Sequence, residues 1–294
     1  FTSHTHTGPV VGHNLGAMYF LDDAQWKQVD DYTARLKKAI VAVVDAAVKD
    51  LEPCELSWGI GRTDFAVNRR ESPESKVPEL RTAGQLKGPV DHDVPVLRVG
   101  RASSEPQPGT NALKAVVFGY ACHATVLSFY QWSGDYPGFA QIELEKQHPG
   151  AVAMFWAGCG ADQNPLPRRS VELAQQYGKQ LAQAVDQTLA GELQPLQGRL
   201  RSAYEEIDLP LGELPSRARL EEDRQGENRF AARRAELLLQ QLDKEGQLAA
   251  RYPYPVQTWR LGKQLTWVIL GGEVVVDYSL RLKDELGPGT WVAG

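Results

Sequence analysis

An α/β fold, with mixed β-sheets flanked by helices, is predicted by three observations on this 294-residue sequence. In 115–165 an apolar, β-branched and aromatic run (Ala115–Ala121) gives way to Cys122-His123-Ala124-Thr125 and a Gly/Asp/Pro turn at 133–138. A helical stretch from Phe139 to Gln147 and a second apolar run, Ala151–Trp156, follow. Strand, loop, helix, strand is the order of a βαβ unit, whose site-bearing loops lie beyond the carboxyl ends of the strands. Asp22–Asp50 and Val171–Leu189 place apolar residues at helical spacing. Val256–Arg260 and Leu265–Leu270 read as a hairpin turning at Gly262-Lys263.

The remaining elements follow in order. His4-Thr5-His6-Thr7-Gly8-Pro9 stands at a strand-to-loop junction, with a glycine-bearing loop to Ala17. Asp22 or Asp23 suits the N-cap of the first helix, and Trp26, Val29, Tyr32, Leu36, Ile40, Val43 and Val44 form a stripe that predicts packing. Leu56–Val67 reads as one or two strands bent by glycines and ending at Asn68-Arg69-Arg70. Residues 71–91 read as a polar loop, Val94–Val99 as a short strand, and 101–111 as a second loop. Leu200–Leu209 is strand-like, 213–251 is a charged, solvated helical pair, Tyr278–Leu286 is a helix, and a last strand begins after Gly287. No repeat or low-complexity segment breaks the chain, so 1–294 reads as one domain with 213–251 as a helical insertion. The first residue is not Met and no signal peptide is visible, so the piece reads as truncated at both ends.

Composition excludes several classes. At 42% hydrophobic the chain can bury a full core, and a net charge of −5 supplies no basic field for nucleic acid. No apolar run approaches the ~18 residues of a membrane span. Cys54, Cys122 and Cys159 are far apart with no CxxC, so they form neither a disulfide framework nor a thiolate zinc site. A Cys122–Cys159 disulfide and free buried thiols are both open readings.

Chemistry concentrates at strand ends. If extended, His4 and His6 share one face, where two imidazoles can bind one metal, or one can bind while the other donates or accepts a proton. Solvated loop histidines are the plain alternative. His123 ends one strand and Glu273 another; two histidines with one carboxylate and an open position suit catalytic Zn²⁺. Alternatively His123 is a core histidine bonded to backbone and Glu273 a capping carboxylate. Asp135 and Asp162 sit in glycine-bearing turns, where Asx capping competes with a site role. Arg69 could pair with a substrate oxygen or a carboxylate, or lie free at the surface. His13, His92 and His148 lie in loops without a partner pattern.

Taken together, these pieces resemble the neutral/alkaline (non-lysosomal) ceramidase family in its N-terminal catalytic domain. Ser3-His4-Thr5-His6-Thr7-Gly8-Pro9 is similar to S/T-H-T-H-S-G/T-P, Asn68-Arg69 to the Asn-Arg motif, and Ala121–Thr125 to A-x-H-P-T. Ser133–Phe139 is similar to S-G-D-x-x-G-Y, and Gly272-Glu273 to P-G-E. The order is kept over nearly the whole chain. The resemblance implies one catalytic Zn²⁺ held by His4, His123 and Glu273, at the carboxyl ends of strands, with a tyrosine as a further ligand. It also implies His6 as stabiliser of the reacting oxygen and Arg69 as a further active-site group. Tyr278 is too close to Glu273 to be that tyrosine, which places the ligand beyond residue 294. One departure is marked: the family's nucleophile motif is G-D-x-S-P-N, whereas Ala161-Asp162-Gln163-Asn164-Pro165 puts Asn164 at the serine position.

The function that follows is a zinc-dependent hydrolase of an N-acyl, ceramide-like amide, using metal-activated water, with Asp162 or Asp135 orienting the surrounding groups. Its partner is a small-molecule or lipid amide, presented in solution or at a membrane surface. The resemblance suggests secretion or periplasmic export. Loss of the serine motivates a rival, a non-catalytic zinc-stabilised domain that binds lipid or glycan. A metal-independent structural domain is the third reading.

Overall fold

In the computed structural model, which describes residues 2–101 and 113–294, the apolar alternation of the strands becomes two faces of one sheet. The elements in chain order are α1 (Asp23–Lys49), β1 (Cys54–Arg62), β2 (Ala66–Asn68), α2 (Val77–Thr82), β3 (Asp93–Arg101), β4 (Leu113–Tyr120), α3 (Asp135–Gln147), β5 (Val152–Ala157), β6 (Gln163–Pro165), α4 (Val171–Ala190), β7 (Gln194–Leu196), β8 (Leu200–Pro210), α5 (Arg217–Arg224), α6 (Arg229–Glu245), β9 (Arg251–Leu261), β10 (Leu265–Leu270), α7 (Val276–Leu286) and β11 (Thr290–Ala293). A short 3₁₀ turn, Glu74–Lys76, and α2 stand where the sequence predicts only loop; Pro78 in the first turn of α2 suits a helix start. The loop predicted over 101–111 lies outside the described residues, apart from Arg101, which ends β3.

The chain divides into two compact units. The first comprises Phe1–Gly8, Glu52–Glu205 and Pro255–Gly294, and the second Pro9–Leu51 and Glu206–Tyr254. In the first, a five-stranded sheet runs β5-β4-β3-β1-β7, with β4 and β5 parallel and joined through α3. Strand residues two apart share a face. Val94, Val96, Val116, Phe118 and Tyr120 accordingly meet α3 and α4 residues such as Tyr136, Leu144 and Leu181. The opposite face carries Trp58, Leu97 and Trp156, which pack with Trp267 and Trp291 of the second sheet, ordered β11-β10-β9-β8. The result is a helix layer and two sheet layers, which confirms a mixed α/β architecture.

In the second unit α1 begins where predicted, with a capping box between Asp22 and Gln25. Its apolar stripe packs over the first half only, where Trp26, Tyr32 and Leu36 are partly buried around Val29. Beyond Leu36 it does not: Ile40, Val43 and Val44 are 52%, 65% and 56% exposed. The cap and the Lys27–Asp31 and Asp45–Lys49 pairs support this helix locally. The charged 213–251 stretch forms α5 and α6, whose small core is Leu220, Ala235 and Leu239.

Candidate functional site

The two loops that follow β4 and β5 open on the same sheet edge, because those strands are parallel. They also touch. A Cβ on Gly158 would come within 3.0 Å of Ala121, and one on Gly160 within 3.1 Å of the Cys122 backbone. His123 is held in this contact: its N–H donates to the Gln163 carbonyl at 3.0 Å, and its Nδ1 lies 2.6 Å from Gly160 O and 3.2 Å from Gln163 O. Carbonyls only accept, so Nδ1 carries the proton and Nε2 presents a lone pair.

That lone pair faces Glu273 Oε1 at 3.1 Å, and the same oxygen lies 2.6 Å from His4 Nε2. His4 Nε2 is in turn 3.1 Å from His6 Nε2. Ring nitrogens of His4, His6 and His123 all lie within 4.8 Å of one another. Acceptors crowd this closely only around a proton or a cation. Ligands at ~2.0–2.1 Å from tetrahedral Zn²⁺ stand roughly 3.3 Å apart, close to these separations. A cavity of about 30 Å³ lined by His4, His123 and Glu273 has room for one ion or water. The donor set of imidazoles and one carboxylate fits zinc.

Electrostatics agree. Burial first, and then the neighbouring His123, holds His4 below the ordinary histidine value; burial and His4 do the same for His6. Burial would raise the Glu273 carboxyl, but His4, the hydrogen bond and charge of His123, and Arg69 together bring it lower. Neutral imidazoles beside an anionic carboxylate are the protonation states that metal ligands need.

The His4–Thr7 segment is not a strand, since His4 takes φ +57°. Its threonines are bolted down instead. Thr5 and Thr7 hydroxyls donate to the Ser133 carbonyl at 3.0 and 3.1 Å, and Ser133 N–H returns a bond to Thr7 O. Ser133 leads to Asp135, at φ +53°, whose buried carboxylate accepts from Val126, Leu127 and Tyr136 N–H groups. Burial raises its pKa, against those three backbone donors. Asp135 therefore ties the loop beyond His123 to the segment bearing His4 and His6. In a Thr7→Val variant we expect a loss of about 0.5–1.5 kcal/mol, read by thermal unfolding, because the shape is kept and a hydroxyl bond is lost.

Asp162 has a comparable tie. Its carboxylate accepts from Asn68 Nδ2 and Val276 N–H, and its carbonyl accepts from Arg69 N–H. Arg69 Nη2 donates to Ala161 O at 2.6 Å. Asn164 pairs with Val67 across β2 and β6; it is buried, and its Oδ1 has no hydrogen-bond partner among the described residues. Both cysteine thiols in this region are free, so the disulfide alternative is set aside, and burial pushes Cys159 up to about 12. The three histidines read as unpartnered all have partners: His13 binds Asp30, His92 the Ala66 carbonyl, and His148 Asp186. Thr5, Thr7 and Ser133 are supports that the sequence reading does not single out. The alternation His-Thr-His-Thr was the available signal.

No protein-family profile and no curated protein matches the chain. Solved structures do. The neutral ceramidase from Pseudomonas aeruginosa aligns with a TM-score of 0.64 at 18% identity, over 99% of this chain and 52% of that one. A ceramidase complexed with C2 aligns with a TM-score of 0.65 at 18% identity, over 99% of this chain and 54% of that one. The fold is that of neutral ceramidases, and the chain spans about half the length of these structures.

Proposed function

We propose that this chain is the zinc-bearing portion of a ceramidase-like hydrolase that cleaves an N-acyl, ceramide-like amide bond. The observation that carries the reading is the convergence of His4 Nε2, His123 Nε2 and Glu273 on one point, with the His123 proton fixed on its far nitrogen. Bound Zn²⁺ would supply Lewis acidity for the carbonyl and acidify water to near-neutral pKa. His4, His123 and Glu273 would hold it, and the Gly160 and Gln163 carbonyls fix the His123 ring. His6, neutral and beside His4, is placed to hydrogen-bond the reacting oxygen or to serve as a further ligand. Arg69 adds positive charge next to Glu273 and His4. Asp135 and Asp162 act as positioning residues through the backbone bonds described above.

The test is zinc stoichiometry of the purified protein, followed by chelator-sensitive hydrolysis of a short-chain N-acyl-sphingosine analogue. One zinc per chain with turnover supports the reading, and absence of zinc binding overturns it. Asn164, where the resembled family has serine, favours a second reading, a zinc-stabilised domain that binds lipid or glycan without turnover. Zinc binding with no turnover of any N-acyl substrate selects that alternative. No helix among the described residues is long and apolar enough to cross a membrane.

The pH dependence has a defined sign. Metal binding needs neutral imidazoles, and the values of His4 and His6 are lowered from 6.5. Zinc affinity should therefore hold nearly constant from pH 8 to 6.5 and fall only at lower pH. An unfolded chain takes up these protons first, so metal-free stability should also decline as pH falls below ~6.5. Chelator competition and thermal unfolding across pH 5–8 check both; an affinity already falling steeply at pH 7.5 would contradict the assignment.

A further inference from the structure

The second compact unit contains a cleft of about 630 Å³ that the histidine site does not use. This size falls in the range of small-molecule pockets, ~300–1,000 Å³. Tyr19 and Phe20, from the segment entering α1, and Trp26, within α1, form its apolar part; Arg224, Arg229 and Arg233, from α5 and α6, supply cations. The Arg229 guanidinium lies 4.4 Å from the Phe20 ring centre and 4.9 Å from that of Phe230, and the two rings meet at 5.5 Å. A cation held over two adjoining rings is positioned while its charge stays unneutralised.

The charge balance is uneven. Arg233 is paired with Glu236 at 2.6 Å. Among the described residues Arg224 and Arg229 have no carboxylate partner, and Glu227, which also lines the cleft, pairs with neither. Asn228 caps α6 by accepting from Phe230 and Ala231 N–H groups, so a 17-residue helix begins at the same place and adds positive potential. Phe20 and Phe230 keep nearly half their surface exposed. Open aromatic surface beside two unpaired guanidiniums matches a ligand with two parts.

We propose that this cleft binds an anionic amphiphile. Arg224 and Arg229 take its carboxylate or phosphate headgroup, and Tyr19, Phe20 and Trp26 take its apolar body. Calorimetric titration of the protein with decanoate, decyl phosphate, decanol and inorganic phosphate, the amphiphiles kept below their aggregation concentrations, tests this. At least one anionic amphiphile should saturate a single site, with decanol and inorganic phosphate at least tenfold weaker. The tighter of decanoate and decyl phosphate identifies the headgroup. Arg224 is exposed and unpaired, so Arg224→Ala should fold, keep zinc binding, and lose at least tenfold in affinity for the anion alone. Phe20→Ala should weaken both amphiphile anions and decanol together. The proposal is overturned by absence of saturable binding, by decanol binding as tightly as the anions, or by unchanged anion affinity in folded Arg224→Ala.

Discussion

Replacing His123 with alanine is expected to reduce zinc content from one per chain to near zero and to abolish any N-acyl hydrolysis. The ligand nitrogen is removed outright, so the loss should exceed the ~10–100-fold cost of disturbing an outer-shell partner. His123 is the most constrained of the converging groups: its ring is buried, its Nδ1–H is shared between two carbonyls, and its backbone N–H is bonded as well. His123→Ala also leaves the Gly160 carbonyl without that donor, so some stability should go with it, on the order of 1–3 kcal/mol. A His123→Gln variant helps to separate the effects, because the amide can donate to a carbonyl while offering zinc a poor ligand. Metal analysis after dialysis, with circular dichroism as the folding control, decides it. Full zinc retention in folded His123→Ala would refute the ligand set.

Much of this geometry is legible in the sequence. The run Ala115–Ala121 and the run Ala151–Trp156 are apolar throughout and form the parallel pair β4 and β5, although β5 is an edge strand that leaves Val152 and Met154 exposed. A parallel pair brings the loops after both strands to one edge, which explains why His123 and Asp162 could be placed in one region from sequence order alone. The His-x-His pair was legible as a spacing but not as a conformation. His4 leaves the extended region, and what holds the rings together is the threonine bonding to Ser133, 126 to 128 residues away in sequence.

The apolar stripe of α1 shows the opposite case. Periodicity establishes that a helix has an apolar side, but not that another element arrives to cover it. The stripe is covered from Trp26 to Leu36 and open from Ile40 onward, and the cap at Asp22 is the part of the helix that local chemistry determines. The same limit applies to Asp162. A Gly-Ala-Asp turn suggests a local Asx cap, yet its carboxylate bonds instead to Asn68 and to Val276, 94 and 114 residues away. Long-range partners of this kind leave no mark in local spacing.

That remote bond gives the second large expectation. Helix α7 starts at Val276 behind Val275, a residue with no side chain able to cap it. Asp162 Oδ1 accepts the Val276 N–H at 3.0 Å, so it caps α7 from another part of the chain and places a carboxylate at the positive helix end. Glu273 lies three residues upstream, and Ala161 N–H binds the Val274 carbonyl in the same turn. The other oxygen, Oδ2, accepts from Asn68, next to Arg69. One buried side chain, 3% exposed, thus holds both the Glu273 and the Arg69 segments. In Asp162→Ala the Val276 N–H loses its partner, which should cost about 1–3 kcal/mol, and Asn68 Nδ2 keeps only its bond to the Pro89 carbonyl, so the unfolding temperature should fall. With the Glu273 turn released, zinc affinity should fall by about 10–100-fold. Asp162→Asn should lie between: one amide oxygen can still cap Val276, while its NH₂ meets the Asn68 NH₂, donor against donor. Calorimetry and chelator competition on the three proteins give the ranking. If Asp162→Ala binds zinc as tightly as the parent while being less stable, Asp162 is a structural cap with no hold on the metal site.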